Sequence, residues 1–169
     1  LRELSNIPVA IDAPQHQELS QGISGITQEQ RHLQTLVERW KSANAVLRNS
    51  LHYLPRAAAV FDASLEQGAD TLSLRSEVDS LVRDLLVLQS VEDPALVDRI
   101  GRSFFVLSSR MHDLPPEIRQ DLSLVLMHAE TVTRWTPIVN VLTRDIVQTP
   151  LSSLAAHLMG IHARAAEEL

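Results

Sequence analysis

The sequence contains no cysteine. That single absence removes disulfides, thiolate metal ligands and thiol nucleophiles, and it is compatible with any compartment. Glycine is scarce at 5 residues, aromatic side chains make up only 4%, and β-branched residues do not cluster. Strands draw on branched and aromatic residues and the turns of all-β folds need glycine, so the profile leans helical. No window approaches the roughly 18 consecutive apolar residues of a membrane span. No signal peptide is present either. Leu1 is not an initiating methionine, and the sequence reads as a piece of a longer chain. Basic clusters are missing as well: 15 Lys and Arg are spread along a chain of net charge -6. A phosphate-binding surface needs those charges concentrated, so nucleic acid is not an expected partner.

What is present is a folded protein's balance, 44% hydrophobic and 21% charged over 169 residues, enough for one domain or two small ones. Apolar residues recur in steps of three and four. A long helical pattern runs from about Gln15 to Leu54, with Ile26, Leu33, Leu36, Val37, Trp40, Asn44, Leu47, Leu51 and Leu54 on one stripe. Pro55 then either kinks this helix or opens a new one. The pattern continues with Ala58, Phe61 and Leu65 as far as Gly68. The next, from about Ser73 to Gln89, carries Leu74, Val78, Leu81, Leu85 and Leu88. "EDPALV" sets Asp93 as N-cap and Pro94 at the first helical position, ahead of a face of Val97, Ile100, Phe104, Leu107 and Met111. A second long helix follows from about Pro116 to Gln148. Its inward residues are Ile118, Leu122, Val125, Ala129, Val132, Trp135, Val139, Leu142 and Ile146, and Pro137 falls inside it. A last helix carries Leu151, Leu154, Leu158 and His162. Nothing alternates with period two. The fold class is all-α.

The two long helices are related. At an offset of 95 residues, Val37 falls on Val132, Arg39 on Arg134, Trp40 on Trp135, Val46 on Val141, Leu47 on Leu142, Leu51 on Ile146 and Pro55 on Pro150. Both tryptophans of the chain are among the matches, so two helical modules joined in tandem are expected. The first spans residues 1–70 and is short of an N-terminal helix. The second, residues 71–169, has four helices (about 73–90, 93–112, 116–148 and 150–168) and reads as an antiparallel four-helix bundle.

Residues 40–55 read "WKSANAVLRNSLHYLP". This stretch resembles the signature F-K-S-x-N-A-x-L-R-N-S-L-x-Y-x-P of the double all-helical ligand-binding (DAHL) sensor family, with Trp40 in place of the usual Phe. "RDLLVLQSVEDPALV" at 83–97 is similar to that family's R-D-x-L helix followed by D-P-L, and "WTPIVNVL" at 135–142 to its T-P-x-V-x-x-L segment. The resemblance implies two helical modules. It also implies a periplasmic, extracytoplasmic sensing role in a bacterial transmembrane receptor, chiefly a sensor histidine kinase of a two-component system. Expected partners are a small-molecule ligand or a periplasmic binding protein, a second copy in a homodimer, and the membrane only through flanking spans outside this sequence.

Six residues are candidates for ligand contact: Trp40, Asn44, Arg48, Tyr53, Arg83 and Trp135. An unpaired amide in an apolar seam costs about 1–3 kcal/mol. Asn44 is therefore read either as a helix-register device or as a ligand contact shared with Arg48 one turn on. Arg48 offers a planar fork to a carboxylate, or pairs with an acidic neighbour. Trp40 and Trp135 serve as core anchors or ligand platforms. Tyr53 combines an apolar body with a wet hydroxyl. Arg83 is a pocket charge or a surface ion pair.

The seven histidines are His16, His32, His52, His112, His128, His157 and His162. No two have the four-residue spacing of a helical metal pair, so neither a metal nor any other cofactor is expected. H-E-x-x-H, G-x-S-x-G and a glycine-rich phosphate loop are all missing, and an enzyme is not expected. The rival to sensing is a structural or adaptor bundle whose long helices serve dimerisation or docking.

Overall fold

The computed structural model describes residues 13–65 and 69–149, and within them every regular element is helical. Helix α1 is Ala13–Ser64, α2 is Ala69–Val87, α3 is Pro94–Arg110 and α4 is Pro116–Gln148; a single 3₁₀ turn, Met111–Asp113, follows α3. The helix expected at 150–168 lies outside the described residues.

Pro55 does not open a new helix: α1 continues through it to Ser64, and α4 likewise continues through Pro137. Each proline lacks an N–H and crowds the carbonyl four residues earlier, a cost of about 3 kcal/mol where nothing relaxes. Both are exposed, so water reaches the carbonyl each leaves without a backbone donor.

Packing separates the chain into two compact units. One consists of residues 40–142; the other combines 1–39 with 143–169. The division falls inside the two long helices, whereas the sequence repeat places its boundary near residue 70.

Within residues 40–142 four helical segments form an antiparallel bundle: 40–64 of α1, then α2, α3, and 116–142 of α4. Asp62 of α1 pairs with Arg75 of α2. Arg99 of α3 reaches both carboxylate oxygens of Asp84 on α2, at 3.2 and 3.4 Å. Arg110, at the far end of α3, donates to Ser73 Oγ at 3.1 Å. Ser50 of α1 meets His128 of α4. Neighbouring helices thus run in opposite directions around the ring, as short connections require.

The core follows the leucine stripes. The residues expected inward on the stripe from Ser73 to Gln89 are all buried: Leu74, Val78, Leu81 and Leu85 on α2, and Leu88 in the turn just after it. α4 buries Leu122, Val125, Leu126, Ala129, Val132, Thr136, Val139 and Leu142. Each fully buried leucine contributes about 1.5–3 kcal/mol.

Two stripes are rotated from their expected positions. On α3 Val97 is exposed and Leu96 is buried in its place, beside Ile100, Ser103 and Leu107. On α1 the buried line is Leu36, Ala43, Leu47, Ser50, Leu54 and Phe61, in steps of three, four and seven that keep one helix face and pass beside Asn44. Asn44 is half-buried on the flank of that line. Small residues at 43 and 50 explain the rotation, because they let the neighbouring helices approach where larger side chains would hold them off.

Helix ends are satisfied locally. Asp93 Oδ1 accepts from the backbone N–H of Ala95 at 2.9 Å, and Pro94 occupies the first helical position as expected. At the other end of α3, the Arg119 guanidinium donates to the carbonyls of Met111, His112 and Leu114 at 3.0, 3.3 and 3.0 Å. One arginine from the first turn of α4 therefore closes the α3–α4 connection.

Candidate ligand groove

The helices that begin and end the bundle, α1 and α4, leave a gap on their outer side. Tyr53, Arg56, Ala57 and Val60 stand at helical spacing on α1, and Asp121, Leu124 and His128 stand opposite them on α4. Together they enclose an open groove of about 190 Å³. That is below the several hundred Å³ of drug-sized sites and suits a small molecule.

One end of the groove is aromatic. The Tyr53 and His128 rings stack with centroids 5.9 Å apart and planes 19° from parallel, and His52 meets Tyr53 edge-on at 5.2 Å. The Arg56 guanidinium carbon lies 5.9 Å from the Tyr53 ring centre, within range of the negative face of the ring. His128 Nδ1 lies 3.5 Å from Oγ of buried Ser50, which holds the imidazole edge towards the core; the donor depends on the tautomer. Ala57, Val60 and Leu124 give an apolar lining, with Val60 and Leu124 still 55% and 43% exposed.

Charge is supplied by Arg56, which is exposed, and Asp121, which is half-buried. Both line the groove, yet they do not pair with each other or with any other described residue. Elsewhere in the bundle opposite charges do close on one another. Beside Asp84, through a hydrogen bond and its charge, Arg99 is held above the usual arginine range. While Asp84 is charged, that contribution is present below arginine's ordinary value and is lost as pH rises past the elevated one. The Arg99 side chain is half exposed, so the pair is screened by salt.

Of the six candidates from the sequence, only Tyr53 lines this groove. Trp40 and Asn44 are half-buried and Arg48 exposed, all on the part of α1 preceding the groove. From Asn44 to Tyr53 is nine residues, about 13 Å along a helix. Trp135 is half-buried on α4, matching Trp40, and Arg83 is exposed on α2. The acidic residue next to Arg83, Asp84, is the one that bridges to a neighbouring helix.

Sequence reasoning missed Arg56, Val60, Asp121, Leu124 and His128 as a group. Their signal was a second stripe beside each core stripe: 53, 56, 57 and 60 on one helix, and 121, 124 and 128 on the other. Nothing in the sequence alone says that those two stripes face each other.

One Glu-x-x-His spacing occurs, at Glu29 and His32. A di-iron bundle needs two such pairs and two further glutamates. Among the described residues no three side chains of metal-binding type come together. No described helix is long and apolar enough to cross a membrane.

Comparison with curated proteins and with solved structures returned no match. The DAHL domain family, in contrast, matches residues 1–167. That span takes in all three resembling segments and both long helices. The chain belongs to the DAHL domain family, a family of sensor domains.

Proposed function

We propose that this chain is the extracytoplasmic ligand-sensing part of a bacterial transmembrane signalling receptor, a sensor histidine kinase, and that it works in the periplasm as a homodimer. Family membership across nearly the whole length carries the reading. The groove between α1 and α4 adds a place where occupancy would have mechanical consequences, since both of these described helices run beyond residues 40–142. A ligand wedged between them favours one helix spacing over another. Shifts of about 1–2 Å at helix interfaces are sufficient for switching. The output is bounded by the ligand's differential affinity for the two spacings. Spans flanking this sequence would connect the long helices to the membrane.

The test is a thermal-shift series against amino acids, organic acids, phenolics and sugars. A specific ligand raises Tm with the logarithm of its concentration. If no class shifts Tm, direct sensing is wrong.

The second reading, a docking bundle that receives a periplasmic binding protein, is favoured by one observation. α3 exposes Val97, Phe105 and Val106, with Phe105 76% exposed. Polar substitution of Phe105 would then abolish receptor signalling while leaving Tm unchanged.

A further inference from the structure

The groove has a composition that selects among small molecules. Arg56 and Asp121, of opposite charge, line the same 190 Å³ space without pairing with one another. The same groove is lined by the apolar side chains of Ala57, Val60 and Leu124 and by the Tyr53 ring, which His128 and Arg56 flank. A simple anion would satisfy the guanidinium and sit unfavourably beside the carboxylate. A simple amine would do the reverse. A neutral sugar would leave both charges uncompensated and cover apolar surface with hydroxyls. From this pattern we propose that the groove binds a small zwitterion, an α-amino acid with an apolar or aromatic side chain.

The carboxylate takes the planar fork of Arg56, the ammonium group takes Asp121, and the side chain covers the apolar lining. Three features support the assignment. The volume suits a molecule of amino-acid size rather than a peptide or an oligosaccharide. The guanidinium is held over the Tyr53 ring at 5.9 Å, so less side-chain freedom is lost when it engages a carboxylate. The His128 ring stacked on Tyr53 fixes the orientation of the aromatic wall, and Ser50 anchors His128 in turn. The groove is open to water and its charges are screened, so binding is weak to moderate and selectivity resides in having both charges on one ligand.

This inference rests on the sensing reading and is tested so that the two fail separately. Binding of L-leucine and L-phenylalanine to the whole chain is measured by calorimetry. It is compared with their decarboxylated amines, their deaminated acids, and a sugar and phenol panel. The zwitterions are expected to bind roughly tenfold more tightly than either singly charged analogue. Arg56→Gln should weaken the zwitterion about tenfold yet leave the amine unchanged; Asp121→Asn should weaken the zwitterion similarly yet leave the deaminated acid unchanged. A loss confined to the matching probe identifies the contact, because a general structural defect would weaken all probes together. Both positions are at least partly exposed, so both variants retain the core. Binding of sugars or phenols but not amino acids overturns this inference and leaves sensing intact. Binding of the amino acids unaffected by either substitution moves the site elsewhere and overturns it too. Silence from every class overturns both.

Discussion

Helices α2 and α3 are joined by polar contacts across their rim; α1 and α4 meet at an aromatic stack beside an open groove. The first pair is closed by the two-pronged Arg99–Asp84 contact, by Arg110 on Ser73, and by the Asp93 cap at its turn. Neither helix contains a proline after its first turn. The second pair has a 3.5 Å histidine–serine contact, one aromatic stack, an open groove, and a proline inside each helix. The same leucine-rich core runs under both. Their difference lies at the rims: polar side chains of α2 and α3 reach one another, whereas Arg56 and Asp121 line the groove between α1 and α4. On the sensing proposal, the α1–α4 spacing is the one that a ligand in the groove would bias.

The comparison breaks most readily at the core. Leu85→Ala in α2 removes a fully buried side chain and should cost about 2–5 kcal/mol. Leu124→Ala at the groove, 43% exposed, should cost under about 1 kcal/mol. Urea unfolding monitored by circular dichroism gives both. Equal losses would mean that α1 and α4 are packed as tightly as α2 and α3.

Next come the two internal prolines. Pro137→Ala restores a backbone donor on α4 and should stabilise the protein by about 1–2 kcal/mol, less whatever local relaxation has already recovered. If a change in the α1–α4 spacing matters for response, the same variant should show a smaller ligand-induced change in output despite its higher Tm. A stabilised variant with undiminished response would show that the prolines have no part in signalling.

The cap of α3 sharpens the picture on the α2–α3 side. Asp93→Ala removes the acceptor for Ala95 N–H and should cost about 1 kcal/mol. Hydrogen exchange should speed up at the first turn of α3 and leave the amides around Tyr53 and His128 unchanged. Acceleration at both places would join the two pairs into one cooperative element.

Much of this was readable before any coordinates, and the residues show why. α2 is legible because its inward positions, Leu74, Val78, Leu81 and Leu85, keep unbroken helical spacing with no competing apolar stripe. The α3 start was read from Asp93 and Pro94, whose chemistry is local. α4 runs from Pro116 to Gln148 as expected, because Pro115 ends the preceding turn and Pro116 suits a first helical position. α1 was harder. Its true inward line includes Ala43 and Ser50, which hydrophobic counting passes over, and the bulky Trp40 and the amide of Asn44 drew the stripe to one side. On α3, Val97 outranked Leu96 for a similar reason, since three- and four-residue steps accept either. The groove was the least legible feature. Tyr53 was found because it belongs to a recognisable motif, but its partners come from a helix some seventy residues later, and only tertiary packing places His128 against it.

The smallest effect concerns Asn44. Were it at the centre of the apolar line, replacing it with leucine would remove a desolvated amide and raise stability appreciably. Its position on the flank, half-buried between Ala43 and Leu47, changes the expectation: water reaches the amide, so little desolvation is recovered. Asn44→Leu should therefore shift stability by no more than about 0.5 kcal/mol in either direction. It should also leave amino-acid affinity at the groove unchanged, because Tyr53 begins about 13 Å further along the helix. Calorimetry and thermal unfolding of the one variant check both statements. Loss of ligand binding with Tm preserved would place the binding site on the Trp40–Arg48 stretch instead, and would make the ligand-biased region extend back along α1 to the edge of the four-helix unit.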